Sequence, residues 1–324
     1  MTVVGFFSAK GAPGTTTTAM LAASLWPNPV LLADCDPAGG DVGLRLPAPD
    51  GRPLDLERGM LSLLSVARRS LAPDALAAHV QPVLGGGAVL VGLSGPEQAG
   101  AAGPAWATIA GVLGSLSGQD AILDLGRLDS RSPVLPLAVT APLLVCVVDT
   151  SLPSVYAARA RLRTLTTTLR DRDGGGPRIG LICRAADRRE ADGVAGVIRG
   201  EFSDVTYLGQ LAVDERGAEI FNGRPVSRPE RTLLVRSGRE VVQAILDELS
   251  RLRISQTQVP DQPWNSLTGA YAAYAPYLAQ PGQAGQPAQP LGAPPAVPPP
   301  SGPPPDTAPR TRRERRERER REGR

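Results

Sequence analysis

One lysine and one histidine occur among 324 residues, and each scarcity excludes chemistry. A single His79 rules out a two-histidine metal site or a histidine relay within one subunit. It stands in Ala77-Ala78-His79-Val80 with no nucleophile motif nearby, so it reads as an ordinary boundary residue rather than part of a hydrolase triad. The three cysteines, Cys35, Cys146 and Cys183, lie far apart in apolar runs. That spacing gives neither a disulfide framework nor the paired cysteines of an iron–sulfur carrier, and it fits reduced thiols in a cytoplasmic protein. No apolar run reaches the roughly 18 residues of a membrane span. The longest, Val134 to Val148, is broken by Pro136, Thr140 and Pro142 and reads as a buried helix–strand pair. The N-terminus shows no basic region or cleavage site of a secretory signal. Although Gly and Pro number 36 and 33, they follow no three-residue period, which excludes a collagen-like chain.

What is present is a hydrophobic fraction of 42% and a mixed element pattern up to about Arg253. Apolar runs predict strands at Val3–Ser8, Val30–Asp34, Ala88–Gly92, Ala121–Leu125, Leu143–Asp149, Ile179–Cys183 and Val205–Leu208. Helical periodicity predicts helices at Thr15–Leu25, Leu56–Ser65, Ala105–Leu116, Ser154–Leu169, Arg188–Ile198, Glu215–Phe221 and Pro229–Leu252. Continuously apolar strands alternating with helices predict an α/β fold: a doubly wound, mostly parallel sheet covered on both faces. The expected division is a globular α/β body over 1–253 and a tail over 254–324. The tail holds Trp264, Tyr271, Tyr274 and Tyr277, then a Pro/Gly/Gln/Ala stretch, and its composition predicts disorder. Its last fifteen residues, Arg310–Arg324, carry nine Arg and four Glu, a charge of +5 against +3 for the whole chain. Such a segment suits a solvated tail, or contact with DNA or an anionic membrane surface.

The chain's only lysine falls within a glycine-rich turn. After the first strand comes Ser8-Ala9-Lys10-Gly11-Ala12-Pro13-Gly14-Thr15-Thr16-Thr17-Thr18, then an apolar helix. Strand, glycine turn, hydroxyl residues and helix start make a phosphate cradle, because backbone N–H groups converge on an anion at the positive helix end. Thr16 is placed to ligate Mg²⁺. Two further strand ends carry carboxylates: Asp34 and Asp36 in Leu31-Leu32-Ala33-Asp34-Cys35-Asp36-Pro37, and Asp124 in Ile122-Leu123-Asp124-Leu125-Gly126.

Lys10-Gly11 and the three segments in this order resemble the ParA/MinD branch of P-loop ATPases, whose deviant loop reads K-G-G-x-G-K-[ST]. Thr15, where that loop has its second lysine, is similar to the K-G-G-x-G-T-T-T variant of the Tad/Cpa-type pilus-assembly localisation ATPases. The resemblance covers roughly residues 1–250. It implies ATP and Mg²⁺ as ligands. Gly11, Ala12, Pro13, Gly14, Thr15, Thr16 and Thr17 would hold the phosphates, and Thr16, Asp34 and Asp124 the metal. Asp36 would orient the attacking water, and Lys10 would reach the ATP of the partner subunit in a face-to-face homodimer. Cys183 and Arg184 fall where the family has strand-Asn-Arg at the nucleotide, the Asn contacting adenine, and Cys183 in its place removes that base-specific contact. The receiver-like domain that precedes the loop in the pilus-assembly relatives is not expected, since the first strand starts at residue 3.

Thr15 removes an ammonium worth about 1.5–3 kcal/mol, so affinity is expected to drop about 10- to 100-fold and hydrolysis to be slow. Three functions follow from the resemblance: a nucleotide-gated dimerisation switch that positions a pilus, secretion or other cell-envelope assembly, at the inner face of the membrane or in the cytoplasm; a scaffold that no longer hydrolyses ATP; or a DNA-partitioning ATPase using arginines such as Arg159, Arg161 and Arg163.

Overall fold

Val3–Ser8 (β1) is buried along its whole length, as a strand covered on both faces requires. In the computed structural model, which describes residues 1–10, 13–68, 73–170 and 175–257, it lies inside an eight-stranded sheet. The last helix runs on to Thr257, so residues 254–257 of the predicted tail are helical; the rest of that tail, with the tyrosines at 271, 274 and 277 and the closing Arg/Glu run, lies outside the described residues. All described residues belong to one compact unit, Met1–Ala279.

The elements that follow are α1 (Thr15–Ser24), β2 (Val30–Asp34), α2 (Val42–Arg45), α3 (Met60–Ala67), β3 (Gln81–Pro82), β4 (Ala88–Leu90), α4 (Pro96–Ala102), α5 (Ala105–Gly114) and β5 (Asp120–Arg127). The second half runs α6 (Leu135–Thr140), β6 (Leu143–Asp149), α7 (Leu152–Thr168), β7 (Arg178–Ala185), α8 (Arg188–Glu201), β8 (Thr206–Ala212), α9 (Glu215–Ala218) and α10 (Leu233–Thr257). Strand order is β3-β4-β2-β5-β1-β6-β7-β8. Every neighbouring pair is parallel except β3–β4. This is the doubly wound sheet that the sequence predicts.

Alternation along the strands divides the core in two. Phe7, Leu31, Ala33, Leu123, Leu125, Cys146, Leu181 and Cys183 pack with α3, α5, α6, α7 and α8. Phe6, Leu32, Ile122, Val145, Val147 and Ile182 pack on the opposite face with Ala19 and Met20 of α1 and Val242 and Ile245 of α10. Since α1 follows β1 directly, its N-terminus is held over the C-terminal ends of the central strands. All three cysteines are buried and free. Among the described residues no helix is long and apolar enough to cross a membrane.

Several boundaries differ from expectation for local reasons. The helix expected from Leu56 starts at Met60, because a Cβ on Gly59 would lie 2.4 Å from the Val91 carbonyl oxygen and the Met60 N–H donates to that same oxygen at 2.7 Å. The predicted strand near Val205 runs on to Ala212. Helices α7 and α8 are capped by Ser151 and Asp187, whose side chains accept hydrogen bonds from the N–H groups of Ser154 and Glu190, so α7 starts two residues before the expected Ser154 and α8 at the expected Arg188.

Candidate phosphate and metal site

The turn between β1 and α1 ends at Gly14, which caps the helix with φ of 81°, a left-handed conformation suited to glycine. No side chain caps α1, and its first turn holds no acidic residue, so N–H groups at its positive end remain open to an anion. Thr18 closes the turn by donating its hydroxyl to the Gly14 carbonyl at 2.8 Å. Pro13 and Thr15 are buried, Thr16 and Thr17 half-buried, and Lys10 exposed; Gly11 and Ala12 lie outside the described residues.

Alternation brings the carboxylates to the same place. On β2 and β5, Asp34 and Asp124 share the face of Leu32 and Ile122, which is the face covered by α1. They are also register partners across the β2–β5 ladder. Both are fully buried, at 1% and 0% exposure. Burial, and then repulsion from Asp124, raises the Asp34 carboxyl to about 8, although it accepts the N–H groups of Val42 and Asp36. Burial raises Asp124 to about 6, against the pull of the nearby Thr16 hydroxyl and the Gly126 N–H.

Glycines make room for these acids. A Cβ on Gly40 would meet an Asp34 carboxylate oxygen at 2.1 Å, and one on Gly92 would meet the Asp34 carboxyl carbon at 2.6 Å. The Gly-Gly after Asp36-Pro37 was the available sequence signal for Gly40; none marked Gly92. Asp36 lies beyond the strand and accepts the Ala38 N–H at 2.8 Å. Its carboxyl is raised, chiefly by burial, with Arg127 opposing the shift.

Two buried oxygens in this region have no hydrogen-bond partner: Oγ1 of Thr15 and Oδ2 of Asp124. An unsatisfied buried polar atom costs about 1–3 kcal/mol, and two beside an open helix end fit a ligand that carries phosphate and a cation. Among the described residues no group of three or more His, Cys, Asp or Glu side chains is placed to hold a metal. A hydroxyl such as that of Thr16 and one or two carboxylates are the share a protein gives to Mg²⁺, waters and phosphate oxygens making up the rest.

Cys183 and Arg184 diverge. Cys183 faces α8, fully buried in the other core, and burial together with Asp149, Glu190 and Asp192 pushes its thiol up to about 12. Arg184, the next residue, points to the α1 face. His79 is held by Ser62, with its Nδ1 2.7 Å from the hydroxyl oxygen, consistent with a boundary residue. The three arginines considered for DNA are engaged: Arg159 and Arg163 pair with Glu201, and Arg161 pairs with Asp129 at 3.5 Å. An open groove of about 630 Å³ between α7 and α8, lined by Leu152, Tyr156, Val194 and Val197, lies on the face away from α1.

No protein-family model matches the sequence, and no curated protein matches it. Solved structures do match in fold. A ParA family ATPase from Chlorobium tepidum aligns with a TM-score of 0.58 at 20% identity, covering 75% of this chain and 97% of that one. McdA from Cyanothece, in complex with ATP, aligns at 0.59 with 16% identity over 77% and 96%. The septum site-determining protein MinD from Pyrococcus horikoshii, complexed with Mg-ADP, aligns at 0.55 with 18% identity over 77% and 97%. The protein therefore has the fold of the ParA/MinD P-loop ATPases.

Proposed function

We propose that this protein is a ParA/MinD-type, ATP-binding dimerisation switch with slow ATP hydrolysis. The observation that carries the reading is the meeting of an uncapped helix N-terminus with the buried Asp34–Asp124 pair, where Thr15 and Asp124 each leave an oxygen unpartnered. The neighbouring folds support it, since McdA holds ATP and MinD holds Mg-ADP in structures of similar chain course.

In this reading the N–H groups at Gly14 to Thr17, together with Gly11, Ala12 and Pro13, hold the phosphates. Thr16 and Asp124 would hold Mg²⁺, with Asp34 beside them, and the ion would supply positive charge to the phosphates. Asp36, whose raised carboxyl makes it a better proton acceptor, orients the attacking water. Lys10 is exposed and pairs with no described carboxylate, which leaves its ammonium available to a triphosphate on a second copy of the chain. Nucleotide and homodimer then form together, and hydrolysis separates them.

The likeness of the loop to that of the pilus-assembly localisation ATPases supports a cargo in a pilus, secretion or other cell-envelope assembly, with the switch cytoplasmic or peripheral at the membrane. Thr15, a hydroxyl where an ammonium is usual, also favours a second reading, a scaffold that binds partners without turnover. Light scattering with and without ATP and Mg²⁺, alongside a phosphate-release assay, separates the two. A dimer seen only with ATP, with slow phosphate release, supports the switch. An unchanged mass and no release support the scaffold.

A further inference from the structure

Position 15, at the start of α1, carries a hydroxyl and no cation, but a cationic side chain approaches this helix end from β7. Arg184 sits at the C-terminal end of β7, two residues beyond Ile182, which packs in the α1-side core. Alternation therefore sends the Arg184 side chain toward α1, on the face that carries Asp34 and Asp124. A Cβ built on Gly14 would lie 3.9 Å from the Arg184 Cδ, so the arginine stem runs beside the N-terminal cap of α1.

Its Nε is buried and has no hydrogen-bond partner. The carboxylate nearest along the ladder is Asp149, its register partner on β6, yet no ion pair forms between them. Asp149 instead accepts the Ser151 N–H at 2.9 Å. An unpaired guanidinium N–H inside a protein is costly and persists where a ligand completes it. The fork of guanidinium donors matches phosphate oxygens, and the unpartnered Thr15 Oγ1 lies at the same helix end.

We infer that Arg184 is the phosphate-binding cation of its own subunit, reaching from β7 to the triphosphate in place of the ammonium that Thr15 lacks. The inference rests on the nucleotide-binding reading above. It makes Arg184 a phosphate ligand rather than a base contact, and it divides the charges between subunits: Arg184 serves its own nucleotide and Lys10 that of the twin.

The test measures binding of ATP, AMP and inorganic tripolyphosphate, each with Mg²⁺, to the full chain and to Arg184→Gln, Arg184→Lys and Arg184→Gln/Thr15→Lys. Arg184→Gln is expected to weaken ATP and tripolyphosphate about 10- to 100-fold while leaving AMP within about threefold. Arg184→Lys should retain part of the affinity, and Thr15→Lys should restore it in the Gln background. The ligand-free melting temperature of Arg184→Gln should not fall, because the replaced group is unpaired. Equal ATP affinity in Arg184→Gln and wild type overturns the inference alone. So does a parallel loss of AMP binding, which would make Arg184 a base contact, or a fall in ligand-free melting temperature with affinities unchanged. Wild-type protein that binds neither ATP nor tripolyphosphate at millimolar concentration overturns the nucleotide reading and this inference together.

Discussion

A Cβ on Gly126 would lie 2.1 Å from the carboxyl carbon of Asp36, so the end of β5 touches the acid beyond β2 only because residue 126 is glycine. Its φ of 55° is also one that other residues adopt at a cost. The pair links the strand that carries Asp124 to the acid assigned to orient water. Gly126→Ala is expected to cost about 1–3 kcal/mol from the backbone alone and to displace Asp36. Phosphate release should fall below detection while ATP binding to the loop stays within a few-fold. Calorimetric titration beside a phosphate-release assay checks both halves.

Lys10 is exposed, so its loss should leave the fold intact. Lys10→Ala is expected to keep the wild-type melting temperature without nucleotide. With ATP and Mg²⁺ it should remain monomeric at concentrations where the wild type dimerises, a dimer affinity lower by about 10- to 100-fold. Light scattering across a concentration series reads this directly. Dimers of equal strength in both proteins would contradict the role given to the ammonium.

Asp34 and Asp124 repel each other inside the core. A carboxyl raised in the folded state means that the native form holds more protons than the unfolded one. This contribution to stability therefore falls as pH rises from about 4 through about 8. Asp34→Asn removes that penalty and is expected to stabilise the nucleotide-free protein at pH 8 by on the order of 1 kcal/mol or more. The rise in melting temperature produced by ATP with Mg²⁺ should shrink in the same variant. Thermal melts with and without ligand at pH 8 test the two opposite signs.

At the other end of β5, Asp120 behaves in the reverse sense. Burial acts to raise its carboxyl, but the Trp26 indole N–H at 2.9 Å, the Asn28 amide at 3.2 Å and the Thr2 N–H at 2.7 Å hold it below its usual value. A lowered folded-state value gives stability that is present above about pH 4 and lost as pH falls through the folded value. Asp120→Asn is expected to cost about 1–3 kcal/mol at pH 7, with the gap from wild type narrowing below pH 4. Urea unfolding at pH 7 and pH 3.5 measures it. A gap of constant size would contradict the assignment.

Much of this was legible along the chain. The bounds of β1, β2 and β6 follow from continuous apolar runs, and the loop, Asp34, Asp36 and Asp124 stand out because three such segments follow one another in order, although a single strand-end Asp is usually a turn-former. The short helices α2 and α4 were not expected, nor was the two-residue antiparallel β3, because elements of that length carry too few residues to show a period. The resemblance sets Cys183 and Arg184 together at the nucleotide. They separate because neighbouring residues on a strand point to opposite faces, and Cys183 joins the core under α8.

Sequence by itself determined the alternating strands and helices, the glycine-rich turn before α1 and the types of charge available to it, since local propensity and residue chemistry are properties of the chain. Only the tertiary structure decided that β5 inserts between β1 and β2, which sets Asp124 beside Asp34. It also decided that Arg184, 170 residues from Gly14, runs along the cap of α1. Strand order and the meeting of distant side chains depend on how the whole sheet buries its two faces, and no stretch of sequence encodes that alone.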